Sequence, residues 1–250
     1  MTEKKRPVAQ FDSEMGVELI TPVESLLHES YIADAARCSL PETRRSLPDV
    51  VRDDRLIRRL WLDGHGTPFE YPNIIFQMDI PIFVHNQLVK HRISTINTQS
   101  GRYSEFAPRF YIPSSTRPTS QSGKAIDYEL RAPRDTSELL AARNLVTNLE
   151  LQCAAWYESY IEALEGGVAR EVARMGMPLN TYTKCWVNMN LRSWLNFISL
   201  RLYDPERGFN SHGQYEISEI AQKVLDVLTE FYPATIEAFM EQHAEKAKEN

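Results

Sequence analysis

Two stretches of this chain gather the side chains that can do chemistry. The first, Lys90 to Glu105, reads K-H-R-I-S-T-I-N-T-Q-S-G-R-Y-S-E. It opens on Lys90, His91 and Arg92 and continues with Ser94, Thr95, Asn97, Thr98, Gln99 and Ser100. It closes on Gly101, Arg102 and Tyr103. A guanidinium fork suits phosphate, a glycine lets backbone come close to a ligand, and the tyrosine ring can stack. This set fits a phosphorylated, planar ligand. A polar loop behind a basic helix end is also compatible with a solvated turn whose cations complement the helix dipole.

The second stretch is A-R-E-V-A-R-M-G-M-P-L-N-T-Y-T-K-C-W-V-N-M-N-L-R-S-W-L-N-F-I-S-L-R, from Ala169 to Arg201. Taken as a helix over 180–202, it turns about 100° per residue. Asn190 and Arg201 then fall within about 20° of each other, and Arg192 and Asn196 lie within about 40° of each other on the other side. Both pairs sit amid Trp186, Leu191, Trp194, Leu195, Phe197 and Leu200. An ordinary surface helix has one polar face. Polar groups on two sides mean ligands on both sides, or a helix wedged between subunits, or structural hydrogen bonds from Arg192 and Asn196.

These stretches need elements to hold them. Residues 1–14 read as loose. Val17 to Ile20 reads as a strand, Pro22 to Cys38 and Asp49 to Asp63 as helices, with Gly64 as a stop. Tyr71 to Ile80 reads as a strand. Pro81 opens a helix, P-I-F-V-H-N-Q-L-V-K-H-R, since proline is tolerated in a first turn; its spacing would put Gln87, Lys90 and His91 on one face. The basic stretch follows as a loop. Phe106 to Ile112 reads as a further strand, and Pro113 to Asp135 as a surface excursion. Helices are expected at 136–166, 168–176, 180–202, 214–230 and 234–247, with 245–250 loose. The fold class is α+β, a small antiparallel sheet with a largely helical second half, in a single domain over 1–250.

Composition sets the bounds. At 250 residues, 42% hydrophobic and 25% charged, the chain reads as a globular protein large enough to bury a core without staples. Its net charge of −6 argues against a general nucleic-acid surface, so any basic site is local. Cys38, Cys153 and Cys185 are scattered and odd in number, which implies no disulfide framework. The start, M-T-E-K-K-R-P-V-A-Q, lacks the apolar run of a signal peptide, and no apolar stretch is long enough to span a bilayer. A cytoplasmic address is the expectation. The G-x-x-x-x-G-K-[ST] pattern is absent, and no G-x-G-x-x-G follows a strand. His28, His85, His212 and His243 are scattered, so no metal site is expected. Glu171 reads as an ion-pair partner and Cys185 as a packed thiol.

At these residues the sequence resembles the flavin-dependent thymidylate synthases. Their signature, basic-His-Arg, seven residues, then Ser, is met by Lys90, His91, Arg92 and Ser100, with Gly101, Arg102 and Tyr103 behind. H-G-T-P-F-E at His65 to Glu70 resembles the family's H-x-[ST]-P-F-E. The Ala169 to Arg201 segment resembles its R-x-x-[LM]-P-x-x-x-Y-T and N-x-R-S blocks. The resemblance runs over roughly residues 15–235. It implies a homotetramer with shared active sites, FAD as cofactor, NADPH and 5,10-methylenetetrahydrofolate as co-substrates, and dUMP as the nucleotide. It implies FAD contacts from Thr67, Lys90, His91, Arg92, Asn190, Arg192 and Asn196. Contacts to dUMP are implied for Gln87, Lys90, Ser100, Gly101, Arg102, Arg174 and Arg201. Arg201 would favour ionisation at N3 of the uracil and so activate C5. Ser100 would bind rather than attack, and His65 and Tyr103 would lie near the folate. His65 and Ser100 join Arg201 as the candidate catalytic positions.

Three positions depart from the family pattern. Lys90 stands where arginine is usual, Thr98 where glutamate is usual, and the segment after Arg201 is longer than the usual link to His-Ala-Gln. Two further readings therefore stay open: a flavin-dependent hydroxymethylase acting on dUMP or dCMP, and a homologue that lost catalysis and grips nucleic-acid phosphates.

Overall fold

Period-two alternation builds the middle of this protein. In N-I-I-F-Q-M-D-I-P, Ile74, Phe76, Met78 and Ile80 are fully buried while Asn73, Ile75, Gln77 and Asp79 are not, the signature of a strand with one face on the core. The computed structural model describes residues 7–39, 50–124 and 128–249. In chain order it holds β1 (Gln10–Asp12), β2 (Gly16–Leu19), α1 (Ser30–Arg37), α2 (Val50–Leu62), β3 (Asn73–Pro81), α3 (Ile82–Leu88), β4 (Thr95–Thr98) and β5 (Arg109–Tyr111). Then come β6 (Ser120–Gly123), β7 (Tyr128–Arg131), α4 (Thr136–Glu165), α5 (Arg170–Ala173), β8 (Tyr182–Asn190) and α6 (Leu191–Arg201). The chain ends with β9 (Tyr203–Asp204), β10 (Phe209–Asn210), α7 (Tyr215–Phe231) and α8 (Pro233–Glu249). This is the expected α+β class with a helix-rich second half. The order of the four-stranded sheet is β2-β3-β8-β4. The β6–β7 and β9–β10 pairs are antiparallel, whereas β1 and β5 pair in parallel.

The chain folds into two compact units. One comprises residues 1–16, 78–90 and 97–185; the other comprises 17–77, 91–96 and 186–250. Each of the four sheet strands contributes residues to both.

In the first unit, Phe110 packs with Cys153, Tyr157 and Tyr160 of α4, and Trp156 stacks on Tyr160 at 5.2 Å. Asp135 caps α4, its carboxylate accepting the Glu138 N–H at 2.9 Å. Arg109 ties this unit together. It donates to Asp12 at 2.7 and 2.9 Å, to Asp79 at 2.5 Å and to the Glu14 carbonyl at 2.7 Å. It also lies 3.9 Å over the Tyr182 ring. In the second unit, α2 packs on α8, α6 on α7 and α1 on α2. Trp194 is fully buried, donates from Nε1 to the Ile74 carbonyl at 3.1 Å and meets Phe76 edge-on at 5.0 Å. Gly64 ends the turn after α2 at φ 77°.

Several expectations need correction. Residues 10–12 form β1, held by Arg109, and α8 continues through Glu249. The helix expected over Pro22–Cys38 is a short 3-10 turn at Val23–Ser25 followed by α1, because Leu26 is extended. Asp49 lies outside the described residues, and the rest of its helix is α2. The loop behind Arg92 contains β4. The excursion at 113–135 carries the β6–β7 hairpin. The helix expected over 180–202 is a nine-residue strand, β8, followed by α6. Within β8, Thr183, Cys185, Val187 and Met189 are buried, whereas Lys184 and Trp186 are exposed and Asn188 and Asn190 are half-buried.

Candidate active site

α3 stops at Leu88, with Val89 as its cap. Gln87 is therefore on the helix, but Lys90, His91 and Arg92 are on the turn behind it, and the shared helical face expected for Gln87, Lys90 and His91 does not form. Lys90 and Arg92 are exposed.

The first unit holds the residues that the resemblance associates with the nucleotide, apart from Arg201. The Ser100 Oγ accepts the Arg102 N–H at 3.3 Å, and the Ser100 carbonyl accepts the N–H of Tyr103 at 3.2 Å and of Ser104 at 3.1 Å. No base is hydrogen-bonded to the Ser100 hydroxyl among the described residues. Arg102 donates to Glu171 at 3.1 Å and lies 5.8 Å from the Tyr103 ring centre, which is 79% exposed. Glu171 is thus an ion-pair partner, of Arg102; its neighbour Arg170 meets Glu105 at 3.4 Å. Gly101 is buried. A Cβ there would lie 2.1 Å from the Phe106 ring and 3.2 Å from the Arg174 side chain. The glycine therefore admits Phe106 and brings Arg174 beside this turn. The Thr98 hydroxyl meets His85 Nε2 at 2.8 Å.

The second unit holds His65, Thr67, His91, Arg92, Asn190, Arg192, Asn196 and Arg201. Asn190 is not on the helix; it caps α6, its side chain accepting the Ser193 N–H at 2.8 Å. Arg192 and Asn196 point out from the face of α6 opposite Trp194, Leu195, Phe197 and Ile198. Thr67 is exposed on a 3-10 turn pinned by buried Pro68 and Phe69. Arg192 Nη1 donates to Glu70 at 2.5 Å, and a Cβ on Gly66 would lie 2.5 Å from the Arg192 Cζ. Arg201 Nε donates to His91 Nε2 at 3.0 Å. His91 is half-buried with its ring edge-on to Phe197 at 5.0 Å. Burial, and then the Arg201 charge, push its pKa down to about 4, so at neutral pH it is an uncharged acceptor. The Nη1 and Nη2 groups of Arg201 have no hydrogen bond among the described residues.

The Cys185 thiol is pushed up to about 12, first by burial, and Cys153 is buried and raised as well. Neither is a thiolate at neutral pH. Among the described residues no group of side chains could hold a metal ion, and no helix is long and apolar enough to cross a membrane. Reading the sequence missed Glu70 as the partner of Arg192, although it closes the H-G-T-P-F-E element. Trp61 and Gln242, which sit beside Arg192, carry no motif that could have flagged them, and Gly66 stands at the variable position of its motif.

A fold with these three motif blocks in place defines a class. Residues 23–234 match the family described as Thymidylate synthase complementing protein, and this chain belongs to that family. The chain is 36% identical over 234 residues to a flavin-dependent thymidylate synthase of Tropheryma whipplei (strain TW08/27), covering 93% of this chain and 95% of that one. It is 37% identical over 196 residues to the one from Kosmotoga olearia, covering 78% and 80%. The crystal structure of a UMP/dUMP methylase, PolB from Streptomyces cacaoi, bound with 5-Br UMP, superposes with a TM-score of 0.81 at 31% identity. It covers 94% of this chain and 97% of that one.

Proposed function

We infer that the chain is a flavin-dependent thymidylate synthase that methylates dUMP to dTMP. It takes the carbon from methylenetetrahydrofolate and uses FAD and NADPH. The observation that carries this reading is the Arg201–His91 pair. A neutral imidazole fixes the guanidinium through Nε and leaves both Nη groups for a ligand, the geometry needed to polarise a pyrimidine at N3 and C4. The fit to a flavin dinucleotide rests on Arg192, which keeps Nε and Nη2 without a hydrogen bond and lies in a cradle that a Cβ at position 66 would fill. Bound FAD would supply hydride chemistry. Thr67, Lys90, His91, Arg92, Asn190, Arg192 and Asn196 would hold it. Gln87, Lys90, Ser100, Gly101, Arg102, Arg174 and Arg201 would hold the nucleotide, with His65 and Tyr103 toward the folate. The buried, protonated thiols of Cys153 and Cys185 agree with activation by a cation rather than by thiolate addition.

The enzyme would act in the cytoplasm as a homotetramer with shared active sites. Exposed Leu140 and Leu151, at 51% and 65%, fall within about 20° of one face of α4 and support association through that face. The interleaving of the two units along the chain supports a single folding domain. One observation favours a wider substrate range. Thr98 and His85 form a neutral hydrogen bond where the family usually has a carboxylate, and the structurally similar PolB acts on UMP as well as dUMP; methylation of UMP is the second reading.

The test is an absorbance spectrum of the purified protein, then one anaerobic assay with dUMP or UMP, methylenetetrahydrofolate and NADPH, with products weighed. A flavin spectrum with a product heavier by one methylene is expected. A product heavier by a further oxygen would mean hydroxymethylation. No flavin even after FAD is supplied, together with salt-sensitive nucleic-acid binding, would replace the enzyme reading with the binding one.

A further inference from the structure

The segment behind Arg201 is longer than the family's usual link, and it packs against the helix that carries that arginine. β9 and β10 pair Asp204 with Phe209 and Tyr203 with Asn210. The Asp204 carboxylate closes their turn by accepting the Arg207 N–H at 3.1 Å, and Gly208 completes it at φ 86°. The hairpin is anchored on α8. Phe209 is fully buried, stacked on the His243 ring at 4.2 Å and 5.6 Å from the Phe239 ring. A Cβ at Gly208 would overlap the His243 carbonyl oxygen and lie 2.6 Å from its carbon.

His243 leads back to α6. Its Nδ1 lies 3.4 Å from the Gly208 carbonyl, which can only accept, so Nδ1 carries the proton. Nε2 then accepts the Ser199 hydroxyl at 3.0 Å, two residues before Arg201. One residue after Arg201, the Leu202 carbonyl accepts the Ser211 hydroxyl at 2.9 Å. Gly213 lies over Arg201 itself. It is not in the left-handed region, so the glycine is there for room. A Cβ would overlap the Arg201 carbonyl oxygen and lie 3.1 and 3.3 Å from its carbonyl carbon and Cα. These are backbone atoms, which cannot swing aside as a side chain can. The family's usual His-Ala-Gln would not fit here; this chain has His212, Gly213 and Gln214. The last turn of α6 is thus gripped from outside, while His91 holds the guanidinium through Nε.

We propose that the segment over residues 203–213 is a brace for Arg201, with Gly213 and Ser199 as positioning residues that set where its guanidinium meets the pyrimidine. The catalytic consequence rests on the reading of Arg201 given above; the mechanical one does not. A misplacement of about 1 Å near the chemistry costs on the order of a hundredfold in rate, so an insertion that fixes this turn acts on turnover.

The test compares the full-length protein with Gly213→Ala, Ser199→Ala and Ser199→Thr. Steady-state rates with dUMP, methylenetetrahydrofolate and NADPH are paired with flavin-fluorescence titration of FAD. An NMR titration follows the His91 imidazole, whose signal is identified by its loss in His91→Gln. In Gly213→Ala, kcat should fall about tenfold or more. In Ser199→Ala it should fall a few-fold, the effect of one hydrogen bond, and Ser199→Thr should restore it. KM for NADPH and FAD affinity should stay within about twofold in each. His91 should take its proton above the parental value of about 4 in Gly213→Ala, as the Arg201 charge draws away. In an active enzyme kcat decides. A parental kcat in Gly213→Ala overturns the brace, and so does a loss of FAD affinity as large as the loss of kcat, which general loosening would give. In a parent without turnover, the catalytic reading of Arg201 fails and the His91 titration decides. An upward shift keeps the mechanical brace, and an unchanged titration removes it. Should Gly213→Ala not fold, Ser199→Ala carries both comparisons, since it removes one hydroxyl and leaves a strong helix former.

Discussion

Arg201 and His91, 110 residues apart in sequence, meet through a single hydrogen bond of 3.0 Å in which the guanidinium gives and the imidazole receives. The direction matters. An imidazole that accepts from a cation must be neutral, and a protonated one would break the contact and repel its partner.

The pH dependence follows from that. The imidazole takes its proton near 6.5 in the unfolded chain and near 4 in the folded protein. Between those values the unfolded state binds more protons, so stability falls as pH falls through that window. Half-buried His85 and His243 are shifted the same way, first by burial, and add to the slope. Chemical denaturation of His91→Gln at pH 7 and pH 5 should show a shallower loss than the parent. Parallel losses would mean that His91 contributes nothing to it.

Arg201→Ala should lower turnover about a hundredfold or more, the cost of removing a donor aimed at developing charge. FAD affinity, read by flavin fluorescence, should change only a few-fold. Equal losses in both would remove Arg201 from the chemistry and make it a structural group.

Gly101→Ala should destabilise by about 1–3 kcal/mol, the usual cost of overpacking, because the new Cβ would sit 2.1 Å from the buried Phe106 ring. The displaced ring would move Arg174, so calorimetric titration with dUMP should show weaker binding too. A variant with parental melting temperature and dUMP affinity would contradict this packing role.

Lys90→Arg should keep or tighten dUMP binding, since Lys90 is exposed and makes no ion pair among the described residues, and arginine restores a planar fork. Lys90→Met should weaken it. An inactive Lys90→Arg enzyme with a normal melting temperature would assign the ammonium a task that charge alone does not explain.

Much of this was legible before any coordinates. β3 announced itself as a β-rich run with no charge after Glu70 until Asp79, and α2 through Leu56, Ile57, Leu60 and Trp61 before Gly64. β8 was hidden because its alternation runs without a break into the apolar face of α6, so one helical period was read through both. β4 could not be seen, because T-I-N-T has one apolar residue and is a strand only because β8 lies beside it. Three ordered motif blocks pointed to the site residues. Their pairings, Arg201 with His91, Arg192 with Glu70, Arg102 with Glu171, depend on tertiary approach, which spacing along the chain does not encode.

The chain changes unit after residues 16, 77, 90, 96 and 185. No contiguous stretch contains either unit, so neither is a cassette that recombination could lift out and graft onto another polypeptide. A scaffold threaded this way is inherited whole. Its room for novelty lies in point substitution and in hairpins such as 120–131 and 203–210, each of which begins and ends within one unit and can lengthen without severing the weave.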